Sequence, residues 1–239
     1  NNLDYLDFNV ANFYKECSPS IFAGKMQPWI ENGEDRILIT MSGQIVKGED
    51  ERDDKPQDDN SIYGKIISFD QKNNSYEIFS KGHRNSLGLF VDSKNKIILS
   101  TENGPRGGDE INLIKKFGNY GWNISSYGEY YYSDNVYKKS HENYGFVEPI
   151  FTFIPSIGIS EIIKLDNNFS SKWQNNFLVG SLNSRHLYRV KFDNAFSKLL
   201  FHEDIFVGER IRDILYSREN KLIFLALEDT GSIGILKTK

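Results

Sequence analysis

GKIISFD (64–70) followed by HRNSLGLFVDSKNKIILS (83–100), and LYRVKFD (187–193) followed by ERIRDILYSRENKLIFL (209–225), are the two stretches that decide the fold. Both read in the same order: strand, gap, strand, polar turn, strand. A third copy of the closing piece, GEDRILIT (33–40), matches SKNKIILS (93–100) and RENKLIFL (218–225). In each, a polar turn leads into a basic residue and then an apolar run. A multi-strand unit recurring every ~40–50 residues is the signature of a β-propeller blade. At that period the 239 residues hold about five blades. The competing reading is two hairpins that look alike because strands and turns draw on few residue types.

The rest of the pattern is also short. RILITMSG (36–43), KIILSTEN (96–103), NNFLVGSL (175–182), HLYRVKFD (186–193) and KLIFLALED (221–229) are runs of strand-type residues bounded by Gly, Asn, Asp or Ser. No stretch repeats apolar residues at i, i+3, i+4 and i+7 over three helical turns. The class expected is all-β.

Lys and Arg number 29 and Asp and Glu 33, a net charge of −4, which excludes a strongly basic nucleic-acid binder and a polybasic membrane patch. No run approaches the ~20 apolar residues of a membrane helix. One cysteine, Cys17, excludes an internal disulfide framework and a multi-cysteine zinc site. NNLDYLDFNV (1–10) has neither the basic start nor the apolar segment of a signal peptide, so the chain reads as mature or truncated.

Two segments break the rhythm. QIVKGEDERDDKPQDDNS (44–61) is highly charged and reads as a solvated loop. YGEYYYSDNVYKKSHENYG (127–145) is Tyr-rich and reads as a long surface insertion packed by its own aromatics, with carbohydrate contact as the functional alternative.

Chemistry concentrates in three places. In TENGPRGGDEINLIKKFGNYGWN (101–123), Gly104, Gly107 and Gly108 free the backbone, Pro105 restricts it, and Asp109 and Glu110 follow. Exposed carbonyls beside carboxylates suit a hard cation such as calcium, although the spacing is not that of an EF-hand and such a turn is usually only a turn. In GHRNSLGL (82–89), His83, Arg84 and Asn85 precede an apolar strand. In GERIRDI (208–214), Arg210 and Arg212 share a strand face, because side chains alternate with period two. Two guanidinium groups on one face repel unless an anion lies between them. The repeat places Arg84-Asn85 and Arg210–Arg212 at the starts of equivalent strands, where a propeller would bring them to a common axis. That points to a pocket for an anion with several carboxylates, against the alternative of surface ion pairs with the abundant acids.

GHRN (82–85), ENGPRGGDEINLI (102–114), GNYGW (118–122), PSI (155–157), LVGSL (178–182) and RIRD (210–213) together resemble the glucose/sorbosone dehydrogenase family, the soluble pyrroloquinoline-quinone-dependent aldose sugar dehydrogenases. The similarity runs in consistent order from about residue 17 to the C-terminus. It implies a single propeller domain over 1–239, of a six-bladed family, lacking roughly one N-terminal blade. It implies a quinone on the axis held by calcium, with main-chain carbonyls of Gly104 and Pro105 among the metal ligands. Arg84 and Asn85 match residues near the quinone oxygens, Arg210 and Arg212 match the pair that meets its carboxylates, and Gln57 matches a further polar contact. Asp109 and Glu110 would shape the loop or bind a second, structural calcium. The implied substrate is a small-molecule sugar, and the implied location is periplasmic or secreted.

The sequence departs from the family at positions that matter. Such enzymes use a His as base in a His-x-x-Gly-Arg/Lys stretch; here that stretch is Ile21-Phe22-Ala23-Gly24-Lys25, with Ile21 at the base position. Ile cannot move a proton, and loss of such a base costs ~10²–10⁴-fold in rate. An aromatic residue flanking the quinone corresponds to Ile154, its neighbour keeps a ring at Phe151, and a Lys at the site corresponds to Asn183. His83 as a substitute base would point to the opposite strand face from Arg84. Two expectations follow. One is a calcium- and quinone-dependent aldose dehydrogenase with weakened catalysis. The other is a non-catalytic propeller that binds a carbohydrate, an anion or a protein partner.

Overall fold

The computed structural model describes residues 23–43, 54–131 and 134–238. Ile21 and Cys17 lie outside the described residues. The strands are β1 (Met26–Glu31), β2 (Glu34–Met41), β3 (Lys65–Asp70), β4 (Ser75–Lys81), β5 (Ser86–Asp92), β6 (Ile97–Glu102), β7 (Asp109–Leu113), β8 (Phe151–Phe153), β9 (Ile159–Lys164), β10 (Phe177–Ser181), β11 (His186–Phe192), β12 (Leu199–Phe206), β13 (Ile211–Ser217), β14 (Leu222–Leu227) and β15 (Ser232–Lys237). They form four antiparallel sheets in chain order: β1–β4, β5–β8, β9–β12 and the three-stranded β13–β15. The expected all-β class holds, and every quoted apolar run is a strand. The three aligned copies GEDRILIT, SKNKIILS and RENKLIFL end in β2, β6 and β14, each the second strand of its sheet.

Length arithmetic predicted about five blades, and the described residues make four. The difference is accounted for by a long excursion over 114–150 between β7 and β8, and by residues outside the described set. The expected Gly-rich acidic turn also closes earlier than the sequence suggested: it ends at Gly108, and Asp109 and Glu110 already belong to β7, paired with Phe153 and Thr152 of β8.

The sheets stack face to face with one apolar core per interface. Trp29, Leu38, Ile66 and Phe79 of the first sheet meet Leu89 and Ile98 of the second. Leu99 and Ile111 of the second meet Ile159, Ile162 and Phe177 of the third. Leu178 and Leu187 of the third meet Ile211, Ile214 and Leu225 of the fourth. Adjacent residues therefore serve opposite cores: Ile98 and Leu99 in β6, Phe177 and Leu178 in β10. That is why these strands read as continuous apolar runs rather than alternating ones.

The first strands of the sheets pack successively, β1 on β5, β5 on β9 and β9 on β13, around a common axis. Hydroxyls stitch one sheet to the next near that axis. Thr40 Oγ1 donates to the Ser86 carbonyl at 3.0 Å, Thr101 Oγ1 to the Ser160 carbonyl, and Ser160 Oγ to the Ile211 carbonyl at 2.6 Å.

Glu161 of β9 is buried at this axis, and burial pushes its pKa up to about 7, with Lys25 opposing the shift. The folded protein therefore holds a proton that the unfolded chain releases at the ordinary value of 4.5. The stabilisation is complete below about pH 4.5 and is lost as pH rises through about 7. Unfolding free energy should fall by on the order of 2–3 kcal/mol from this group between pH 5 and 8. Denaturant titrations across that range should show a steeper fall in the native protein than in Glu161→Gln; equal slopes would refute the assignment.

Candidate functional site

The turn between β4 and β5 is built by Gly82. Its φ is +76°, and a Cβ there would stand 2.3 Å from Asn119 Oδ1 and 2.7 Å from the Gly121 nitrogen. His83 follows with no exposed surface. Its Nε2 meets Ser80 Oγ at 2.8 Å, its Nδ1 meets Glu102 Oε2 at 2.9 Å, and its ring stacks on Tyr120 at 4.6 Å. Both ring nitrogens are engaged, so His83 is a structural residue with no nitrogen left for a substrate proton. Glu102 holds the turn as a whole: Oε1 accepts from the Arg84 backbone N–H at 2.6 Å and Oε2 from Ser86 Oγ at 3.1 Å. Sequence reasoning missed Glu102, which is an unremarkable acid at the end of a strand.

Arg84 leaves this turn buried, its guanidinium over the Trp122 ring at 5.4 Å. Nη1 donates to the carbonyls of Asn103 and Gly104, both at 2.8 Å. Arg84 Nε and Asn85 Oδ1 are buried without a hydrogen-bond partner among the described residues. A donor and an acceptor left open on adjacent residues are what a polar ligand would satisfy.

The Gly104 turn is tight. A Cβ there would fall 2.3 Å from the Gly108 carbonyl oxygen. Asp109 fixes the turn from below. Oδ1 accepts from the Gly104 N–H at 3.0 Å and Ser156 Oγ at 2.8 Å, and Oδ2 from the Ile157 and Ile159 N–H groups at 3.0 and 2.8 Å. Asp109 thus shapes the loop, joining the Gly-Pro turn to the run that enters β9.

Glu110 lies on the opposite side of β7, its Oε1 3.4 Å from His141 Nε2, and Asn112 Nδ2 donates to its Oε2 at 3.2 Å. Burial pushes the Glu110 carboxyl up against the pull of His141. For His141, burial works downward and Glu110 outweighs it, so the imidazole titrates above its ordinary value. Arg84, Gly104, Pro105, Glu110, Trp122 and His141 border a small pocket of about 10 Å³, room for about one water.

Gln57 is half-buried, and its amide is spent on protein. Oε1 accepts from Asn119 Nδ2 at 2.7 Å, while Nε2 donates to Asn119 Oδ1 and the Trp122 carbonyl. It holds the backbone of the indole that underlies Arg84. Its loop is fixed by Lys65, fully buried, whose ammonium donates to the carbonyls of Lys55, Pro56 and Tyr63. Burial pushes that lysine down to about 8.

Arg210 and Arg212 do share a face, and the anion between them is a protein carboxylate. Glu228 Oε2 lies 3.5 Å from Arg210 Nε and 2.5 Å from Arg212 Nη2. Arg210 also donates to the Leu182 carbonyl at 3.4 Å. The structure thus joins Arg84 to the Gly104 carbonyl and joins Arg210 and Arg212 to Glu228, two groups with separate partners. Asn183 and Ile154 are exposed, and the Phe151 ring packs on Phe153 and His202.

The Tyr-rich excursion packs by its own aromatics: Tyr130 stacks on Tyr137 at 3.9 Å, Tyr137 contacts Trp122 at 5.2 Å, and Tyr127 contacts His141 at 5.2 Å. It forms a wall beside Arg84. Among the described residues no three His, Cys, Asp or Glu side chains are grouped to hold a metal. A cation here would rest on backbone carbonyls and would share that of Gly104 with Arg84. For a quinone, the open Arg84 Nε and Asn85 Oδ1 fit in kind, a donor and an acceptor for its polar edge.

The comparisons with known proteins agree with one another. A family model described as Glucose / Sorbosone dehydrogenase matches residues 30–236. The aldose sugar dehydrogenase of Escherichia coli is 26% identical over 205 residues, covering 79% of this chain and 55% of its own. Quinoprotein glucose dehydrogenase B of Acinetobacter calcoaceticus is 25% identical over 230 residues, covering 73% of this chain and 46% of its own. This chain thus spans about half the length of these relatives. A glucose dehydrogenase crystal structure superposes with a TM-score of 0.76 at 24% identity, over 92% of this chain and 64% of that one. The quinone-bound aldose sugar dehydrogenase of Streptomyces coelicolor superposes at 0.62 with 19% identity, over 84% and 57%. These likenesses show the fold, a β-propeller.

Proposed function

Since the chain belongs to the glucose/sorbosone dehydrogenase family, we propose that it binds pyrroloquinoline quinone beside a calcium ion and oxidises an aldose or related alcohol, with catalysis weakened at the proton-transfer step. The observation that carries this reading is the pair of buried, unpartnered polar atoms, Arg84 Nε and Asn85 Oδ1, next to the Gly104-Pro105 turn. When bound, the quinone supplies the acceptor for the hydride leaving the sugar carbon.

The chain's own residues bind and orient. Arg84 presents a positive charge held rigid by two carbonyls and an indole, so little side-chain entropy is lost on binding. Asn85 offers an acceptor. Arg210 and Arg212 reach an incoming carboxylate by exchanging Glu228, both being partly exposed. The carbonyls of Gly104 and Pro105 would hold the cation. The Tyr130–Tyr137 wall offers ring faces to a sugar. The substrate hydroxyl proton has no acceptor at position 21, an isoleucine, and His83 is committed to Ser80 and Glu102. A periplasmic or secreted location belongs to the same reading.

A second reading, a propeller that keeps the fold and binds an anion or carbohydrate without turnover, draws on Ile21, Asn183 and the Glu228 carboxylate already seated between the two arginines. One set of measurements separates them. The purified protein is mixed with calcium and the quinone, and the cofactor absorbance and dye reduction with aldoses are followed. The first reading expects an absorbance shift and slow dye reduction that rises by about 10²-fold or more in Ile21→His. Quinone binding without turnover in either protein supports the second, and absence of any quinone binding removes the first.

A further inference from the structure

Lys25, in the run leading into β1, is anchored to its own sheet by backbone. The N–H groups of Gly24 and Lys25 donate to Thr40 Oγ1 at 3.3 and 3.1 Å, and the Thr40 N–H donates to the Lys25 carbonyl at 3.0 Å. Its side chain leaves that sheet. The ammonium contacts Glu161 of β9 and, at 2.7 Å, Asp213 of β13. Glu161 Oε1 in turn accepts from the Leu89 N–H of β5 at 3.3 Å and from the Ile162 N–H at 2.8 Å. Asp213 Oδ1 accepts from the Ile214 N–H at 2.8 Å. One ammonium and two carboxylates therefore touch all four sheets.

This cluster does what the apolar cores do not. The cores join first to second, second to third and third to fourth sheets, and among the described residues none joins the first to the fourth. Lys25–Asp213 makes that link directly. The charged groups facing Glu161 are Lys25 from the β1 approach and Asp213 from β13, while β5 contributes the Leu89 N–H. Burial works against the Lys25 charge, but the two carboxylates outweigh it and hold the ammonium above its ordinary pKa. Glu161, far more buried than Lys25, is only partly compensated, because it shares its one cation with Asp213.

We propose that Lys25 is a strut across the axis, which sets the separation of the first and fourth sheets and so the spacing between the turn that carries Arg84 and Asn85 ahead of β5 and the one that carries Arg210 ahead of β13. A neutral side chain of similar length would remove the one ammonium that ties Glu161 to Asp213; the buried Glu161 would then keep its proton, and no ionic link would hold the fourth sheet to the first. The strut is a property of the apoprotein and stands whether or not a quinone binds.

The test uses spin labels at Asn60, in the β2–β3 connection of the first sheet, and Thr230, in the β14–β15 turn of the fourth, both exposed, in a Cys17→Ser background. Lys25→Met should lengthen and broaden the distance distribution between them. It should also speed amide exchange at Leu89, Ile162 and Ile214 together, by about tenfold. Asp213→Asn, at a half-exposed position that the core tolerates, should give the same lengthening in smaller measure and serves if Lys25→Met fails to fold. Unchanged distances in the variant that folds, or faster exchange confined to the Lys25 segment, would overturn the strut.

Discussion

Asp109→Ala lowers the unfolding free energy by about 4 kcal/mol, the largest effect expected of any single side chain near the site. The carboxylate is wholly buried and accepts four hydrogen bonds, three of them from backbone N–H groups. Alanine leaves those donors buried without acceptors, and each orphaned group costs ~1–3 kcal/mol. The Gly104 turn and the entry to β9 would lose their common anchor. Asp109→Asn keeps the volume but not two full acceptor oxygens, and should recover about half the loss. Urea midpoints with unchanged m-values measure it. A loss under about 1 kcal/mol in Asp109→Ala would mean that water replaces the carboxylate and that the turn is held by other contacts.

The second large effect is on binding. Arg84→Leu should weaken quinone affinity by about 10²-fold or more, since a buried charged donor lost from a ligand contact costs ~2–5 kcal/mol. Arg84→Lys should not rescue it, because an ammonium cannot serve two carbonyls and a ligand from one plane. Arg212→Ala is the comparison. That side chain is about half exposed and already paired with Glu228, so only a few-fold change is expected. Absorbance titration of the quinone at fixed calcium gives the three constants. Equal affinity in the native protein and Arg84→Leu would move the binding site away from this turn.

Much of this was legible in the chain. The quoted apolar runs are all strands, and the aligned copies fall at equivalent strand positions, because strand length, alternation and turn residues are local properties. The positions named for the site, Arg84, Asn85, Gly104, Pro105, Arg210 and Arg212, were legible as motif residues beside glycines and at strand starts. Their partners were not. Glu102 lies 18 residues from Arg84, Asp109 reaches Ile157 and Ile159 some 50 residues on, and Lys25 meets Asp213 across 188. No period or spacing in a sequence encodes such distances.

By itself, then, the amino-acid order determined the strands, their repeat and the kind of chemistry carried at each turn, since those follow from backbone sterics and side-chain alternation within a few residues. Only the tertiary structure decided which charges are free. It gave both nitrogens of His83 to structural partners, spent Gln57 on Asn119 and Trp122, set Glu228 between two arginines and left Arg84 Nε and Asn85 Oδ1 open. The physical reason is that a polar group's role depends on which other polar groups share its low-dielectric surroundings, and that is settled when distant strands pack.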